Sequence, residues 1–186
     1  MSIQGARRYF TVDQYQRMGA AGVFSEDDRV ELVEGEILMM TPIGSRHAAI
    51  VKRLARLFNN LLGERAIVSV QDPIVLSDFS EPQPDIALLK ARDDFYAEAL
   101  PTATDVFLIV EVADRSLEYD HDVKLPAYAR SGIPEFWLAD LSAETIRVHT
   151  EPANGVYRTL RSYQRGDLIT PIHFPALSIE VISILG

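Results

Sequence analysis

Two acidic residues stand where a folded chain seldom leaves a carboxylate alone. Asp85 follows Pro84 at the head of the apolar run IALL, and Glu111 sits inside the apolar run DVFLIVEV. Taking a carboxylate out of water is costly unless a partner neutralises it, and a divalent cation is one such partner. If the two runs are neighbouring antiparallel strands, Asp85 at the start of one meets Glu111 near the end of the other. Two hard carboxylate groups in one place suit Mg²⁺ or Mn²⁺. Two plainer readings stand beside this one. An Asp after Pro is an ordinary turn residue, and Glu111 can be held by a buried ion pair with Lys124 or an arginine.

The elements that must position these acids follow from periodicity and punctuation. Thr11-x-x-Gln14 fits a capping box, so TVDQYQRMGA opens a short helix that ends before Gly22. RVELVEGEILMM alternates about Glu34-Gly35 and predicts two short strands joined by a tight turn, with Glu31 on the first. Ser45 is placed to cap a long helix whose stripe is Ile50, Leu54, Leu57 and Leu61 and which Gly63 closes. AIVSVQDPIVL and PDIALLK predict strands separated by the turn SDFSEPQ, and ARDDFYAEAL a short helix stopped by Pro101. DVFLIVEV is apolar on both faces and predicts a central strand covered on both sides. In DRSLEYDHDVKLPAYARSG a loop leads to a helix that starts near Leu125 or bends at Pro126 and ends at Gly132. PEFWLAD then predicts a strand, and ETIRVHT with VYRTLRSY a hairpin. The order implies an α/β fold, a mixed sheet with an antiparallel half flanked by helices.

The 186 residues predict one domain, 1–186, with residues 1–28 as an N-terminal helical preface. Hydrophobic content of 47% and charged content of 24% are those of a chain that folds around a core. With no cysteine there are no disulfides, thiolate nucleophiles or cysteine zinc sites. The opening MSIQGARRYF has no apolar signal segment and no stretch is apolar for a membrane span, so a cytoplasmic protein without a membrane partner is expected. A net charge of −9 argues against nucleic-acid binding by the whole surface and calls for a local basic patch. Arg46, Lys52, Arg53 and Arg56 fall off the apolar stripe of the long helix, as either a solvated face or a phosphate-facing one; Lys52, Arg53 and Arg56 are the candidates for the patch. Neither a glycine-rich phosphate loop nor a Gly-x-Ser-x-Gly elbow occurs.

Pro84-Asp85, Glu111 within an apolar strand and a nearby lysine resemble the PD-(D/E)XK nuclease superfamily, although Ala113 stands where the strict motif has lysine. A longer likeness runs from Tyr9 to the C-terminus. RVELVEGEILMMTPIGSRHAAIVKRLARLF, QPDIALL and FLIVEVADRSLEYDHDVKLPAYARSGIPEFWLADL resemble, in the same order, the segments of the Uma-two family of bacterial restriction-endonuclease-like proteins. Phe136 replaces the commoner tyrosine, and ADRSL replaces a frequent LSPST. The resemblance implies a restriction-endonuclease-like core and a Mg²⁺- or Mn²⁺-dependent endonuclease acting on DNA. It makes Asp85 and Glu111 the metal-binding acids, with Lys124 of YDHDVK supplying from the next helix the lysine missing at Ala113. Such a metal activates water against a phosphodiester, and the lysine orients that water or offsets phosphoryl charge. Glu31 is a further candidate ligand for the first or a second metal.

Two other functions compete with this one. A nuclease-fold protein without catalysis could serve as a DNA-binding or assembly component, but has no need of Asp85, Glu111 and Lys124 together. A two-carboxylate glycosidase needs paired acids but no lysine, and few aromatic residues are on offer to bind sugar. His47, His121 and His149 are too scattered for a zinc site, and His47 is expected to cap or pack at its helix start. Trp137 and Tyr128 are expected in the core or in the contacts of a possible homodimer.

Overall fold

A computed structural model describes residues 8–186 except 26, 41 and 115. Residues 1–7 of the N-terminal preface and Arg115 of the loop after Glu111 thus lie outside the described residues. Helix α1 (Val12–Ala20) opens with the predicted capping box, in which Thr11 and Gln14 exchange two hydrogen bonds of 3.2 Å. Strands β1 (Val30–Val33) and β2 (Glu36–Met39) form an antiparallel pair. Their turn puts Glu34 at φ 52° and Gly35 at φ 80°, the left-handed pair that a two-residue hairpin requires.

Helix α2 (Ser45–Leu62) follows, then β3 (Ala66–Ser69), β4 (Ile86–Lys90) and the central β5 (Val106–Ala113). Next comes one helical run built from α3 (Leu117–Tyr119), a π-helical turn (Asp120–Lys124) and α4 (Leu125–Arg130). Strands β6 (Glu135–Asp140), β7 (Thr145–Ala153) and β8 (Val156–Gln164) complete a six-stranded sheet in the order β3-β4-β5-β6-β7-β8. Only β5 and β6 pair in parallel; every other neighbour is antiparallel. A two-stranded ladder, β9 (Leu168–Ile169) with β10 (Ile179–Glu180), leads into α5 (Val181–Leu185).

The two faces of β5 carry different layers. Leu108, Val110 and Val112 pack in the cluster that holds Ile50, Leu54 and Phe58 of α2 and Val181 and Ile184 of α5. Ile109 and Ala113 belong to the opposite cluster, with Tyr128 of α4, Ile133, Phe136 and Leu138. Side chains alternate along a strand, so Glu111 points with Ile109 and Ala113 toward the helical run that contains Lys124. Asp85 lies one residue before the pair Ile86↔Val110, and therefore across from Glu111. Trp137 and Tyr128 are fully buried core residues.

Three local expectations are corrected. The N-cap of α2 is Gly44, with Ser45 the first helical residue and no side-chain cap. Residues 74–76 form no ladder; Ile74 donates to the Pro82 carbonyl at 3.0 Å, and Val75 makes an isolated bridge with Thr102. ARDDFYAEAL is turns, because Asp94 draws in its neighbours: it accepts from the Arg92 guanidinium at 2.9 and 2.7 Å and from the Tyr96 amide at 3.3 Å, a local competition that defeats helix. The helix expected from Leu125 is α4, and α3 and a π-helical turn extend the helical run back to Leu117. Proline has no N–H to give to the preceding turn, and that turn is the one that opens into π geometry.

Candidate active site

Glu31 on β1, Asp85 before β4, Glu111 on β5 and Lys124 in the π-helical turn meet at one place. Lys124 is 4% exposed and its Nζ lies 3.1 Å from both Glu111 Oε1 and Glu31 Oε1. The Tyr128 hydroxyl donates to the same Glu111 oxygen at 2.7 Å, and the Asp85 amide donates to Oε2 at 3.2 Å. Glu31 also accepts from the Tyr119 hydroxyl at 3.0 Å and from the Gln83 amide at 2.9 Å. Asp85 is fixed just as fully. Its Oδ2 accepts from the Val112 amide at 2.9 Å and lies 2.9 Å from His47 Nε2, while Oδ1 accepts from Gln71 at 3.0 Å. A small cavity of about 50 Å³ opens onto Asp85, Glu111, Asp120, Lys124 and His47.

Burial and charge pull these groups in opposite directions. Burial alone favours a neutral lysine, but the surrounding Glu111, Glu31 and Asp120 outweigh it and raise the Lys124 pKa, keeping it charged. Glu111 is pushed well above the usual carboxylate range, first by burial, with Asp120, Asp85 and Glu31 adding repulsion that Lys124 only partly offsets. Burial likewise penalises the Asp85 anion, yet the bond and charge of His47, helped by Gln71 and the Val112 amide, bring its pKa below normal. His47 is raised in turn, Asp85 outweighing the cost of burial. Asp120 accepts from Ser116 at 2.6 Å, and burial pushes its carboxyl up to about 6 despite the opposing charge of Lys124. The site thus has two ion pairs, His47 with Asp85 and Lys124 with Glu111 and Glu31, beside a carboxyl poised near neutrality.

Residues 12–182 match the model of the Uma2 family, described as "putative restriction endonuclease". The chain belongs to the Uma2 family. Its fold is similar to the crystal structure of a "putative nuclease belonging to DUF820" from Anabaena variabilis, with a TM-score of 0.77 and 16% identity over 95% of this chain and 97% of the other. No curated protein matches the sequence. The family description supports a nuclease and hence a nucleic-acid substrate, and among the described residues no helix is long and apolar enough to cross a membrane.

All four residues singled out from the Uma2-like motifs are brought together, and Lys124 reaches Glu111 although Ala113 occupies the strand position two residues on. Ala113 shares the face of Glu111 and contributes only a methyl group, which leaves room for the lysine from the helix. The plainer reading of Glu111, a buried ion pair with Lys124, has the same geometry. Sequence reasoning missed His47, Gln71, Asp120 and the polar role of Tyr128. Signals existed for three of them. His47 continues the buried stripe of α2 at Ile50, Val51 and Leu54, and a polar residue on an apolar stripe asks for a partner. Asp120, Lys124 and Tyr128 recur every four residues, so one helical face carries a polar group at each turn. Gln71 had no such signal. Lys52, Arg53 and Arg56 are exposed on α2.

The donor set can be tested against a hard divalent cation. Among the described residues no three His, Asp or Glu side chains are arranged as a ready metal cage. Mg²⁺, however, usually keeps several waters and takes one or two carboxylates. Asp85 Oδ1 and Glu111 Oε2 each accept one hydrogen bond, which leaves acceptor capacity on both carboxylates, and both residues line the cavity. The residues fit such a cation through Asp85 and Glu111, which line the cavity, whereas Glu31 does not line it and has both oxygens bonded by Tyr119 and the Gln83 amide.

Proposed function

We propose that this Uma2 protein is a metal-dependent endonuclease that hydrolyses DNA phosphodiester bonds with a water nucleophile. The observation that carries the reading is the buried Lys124, its Nζ 3.1 Å from Glu111 beside the cavity onto which Asp85 opens. Asp85 and Glu111 would hold Mg²⁺ or Mn²⁺, and a cation there supplies Lewis acidity and a more acidic water. The protein's own groups do the rest. His47, Gln71 and the Val112 amide fix the Asp85 carboxylate, and Tyr128 and Lys124 fix that of Glu111, so neither must reorganise when substrate arrives. Lys124, held as a cation, orients the attacking water or offsets charge developing on the phosphoryl oxygens. Asp120, which lines the same cavity with a carboxyl raised to about 6, would exchange a proton with that water.

One observation favours the competing reading of a catalytically silent nuclease-fold binding protein: every carboxylate of the cluster is already satisfied by the chain itself. A single experiment separates them. Purified protein is incubated with single- and double-stranded DNA and Mg²⁺ or Mn²⁺, beside Glu111→Gln, which keeps the shape of the side chain and its bond with Tyr128. The nuclease reading expects metal-dependent products from the wild type and a loss of roughly a hundredfold or more in the variant, the scale on which a preorganised polar group acts. Equal cleavage by the two proteins overturns the assigned site. Binding without cleavage on every substrate establishes the silent reading.

A further inference from the structure

The acid site opens, at His47, Ile43 and Ser116, into a larger cavity of about 400 Å³ lined by Pro42, Gly44, Arg46 and Asp114. That volume is within the range of about 300–1,000 Å³ that accepts a small organic ligand, and so one nucleotide. Arg46 is shared in turn with a third depression of about 150 Å³, lined by Ala49, Arg53, Glu144 and Arg165. Each cavity shares lining residues with the next, and Arg46, His47, Ala49 and Arg53 of α2 line the series.

The charge along this path is unlike that of the chain as a whole. Arg46 and Arg53 are seven residues apart, two helical turns, so they project from the same face of α2 about 10 Å apart along its axis. Ala49 between them leaves a shallow floor. Arg165 comes from beyond β8 to the same depression and donates to an oxygen of Gly186. Glu144 lies between two of the cations, 3.8 Å from Arg46 and 3.3 Å from Arg165, and fixes both without cancelling the three arginines. Arg46 is further held by a 2.6 Å bond to the Leu141 carbonyl. Their side chains remain 53% and 41% exposed, so donors are still available to a ligand. Asp114, on the wall of the middle cavity, is the acid that a strand must pass.

We infer that a single nucleic-acid strand runs from the acid site along α2, with the nucleotide beside the cut in the 400 Å³ cavity and the following phosphates on Arg46, Arg53 and Arg165. This rests on the nuclease reading for what happens at the cut but not for the binding. It also replaces the patch expected from sequence: Arg53 belongs to the path, whereas Lys52 and Arg56 do not line it.

The test reads binding and cleavage separately. Fluorescence anisotropy with single-stranded oligodeoxynucleotides of increasing length, over a range of salt, compares wild type, the double variant Arg53→Gln/Arg165→Gln, and Arg158→Gln, the same kind of change on the exposed edge strand β8. Each lost phosphate contact lowers the slope of log K against log salt by about 0.7 for a single strand. The double variant should lose about 1.4 of slope and most of the gain of affinity with length, and Arg158→Gln neither. An unchanged slope in the double variant, an equal loss in Arg158→Gln, or no binding by the wild type overturns the path. Cleavage of the same oligonucleotides is scored independently: binding along the path without any cleavage sinks the nuclease reading and leaves the path standing.

Discussion

Lys124→Met removes the only cation among the described residues that is paired with the two buried glutamates, and leaves a side chain of similar length. In the native protein Lys124 lies 3.1 Å from Glu111 and from Glu31, whose side chains are 3% and 1% exposed. At an effective dielectric of about 20, each contact is worth roughly 5 kcal/mol of attraction. Desolvation of the three ions opposes it by several kcal/mol per ion. The net value of the pair is therefore small, but the cost of breaking it is not, because two carboxylates are left buried together. Removing one partner of such a pair typically costs about 3–5 kcal/mol, and for a chain of this size each kcal/mol lowers Tm by about 2–4 °C. Thermal and urea denaturation of Lys124→Met should show that loss at pH 7. The variant should regain stability as pH falls, since Glu111, already pushed above its ordinary pKa, binds its proton more tightly folded than unfolded. Lys124→Met/Glu111→Gln should recover part of it at neutral pH. A single variant that loses less than about 1 kcal/mol, or whose deficit does not shrink in acid, refutes the buried ion pair, and with it the claim that Lys124 is fixed for catalysis.

Two further outcomes follow from positions away from the acid cluster. His149 is buried against Phe136 and Tyr157, and burial, with repulsion from His121 and Arg147, lowers its pKa to about 4. An unfolded His titrates near 6.5, so the stability from keeping it neutral is complete above about pH 6.5 and is lost between there and about 4, by at most about 3 kcal/mol. Denaturation of His149→Phe across that window should show a flatter acid limb than the wild type, and parallel curves would refute the assignment. Gly35→Ala should cost about 1–3 kcal/mol by the same measurement, since φ is +80° and the new Cβ would fall 2.7 Å from Tyr9 Cβ; an unaltered urea midpoint would contradict this turn geometry.

The strands were legible where the residues left only one arrangement. DVFLIVEV has no polar face, so it had to lie in the middle of the sheet, and β5 is covered by α2 on one side and by α4 on the other. The Glu34-Gly35 turn was legible because few residue pairs accept two left-handed conformations in succession. ARDDFYAEAL misled because its composition favours helix, while one carboxylate, Asp94, reorganises the local hydrogen bonds. The π-helical turn was invisible for a related reason. Pro126 announces a discontinuity, and its missing N–H permits either a new start or an altered turn, so only packing on the sheet decides between them.

The site divides along the same line. Asp85 and Glu111 could be read as a pair because each is anomalous within its own segment: a carboxylate in an apolar run needs a partner, whatever the fold. His47 and Asp120 are anomalous only once the helical face on which they stand is known to be buried. Gln71 is anomalous nowhere, and reaches Asp85 from a bend with φ 58° that no periodicity describes. The lysine shows why spacing in sequence was a weaker guide than the face of the strand. A lysine two residues after Glu111 would share its face by the alternation of a strand; a small Ala113 stands there instead, and Lys124 reaches Glu111 from the helical run that this face of the strand meets. What the structure shows is therefore a cation beside Glu111 on the face that Asp85 shares, and a sequence search for this arrangement should demand the face and not the interval.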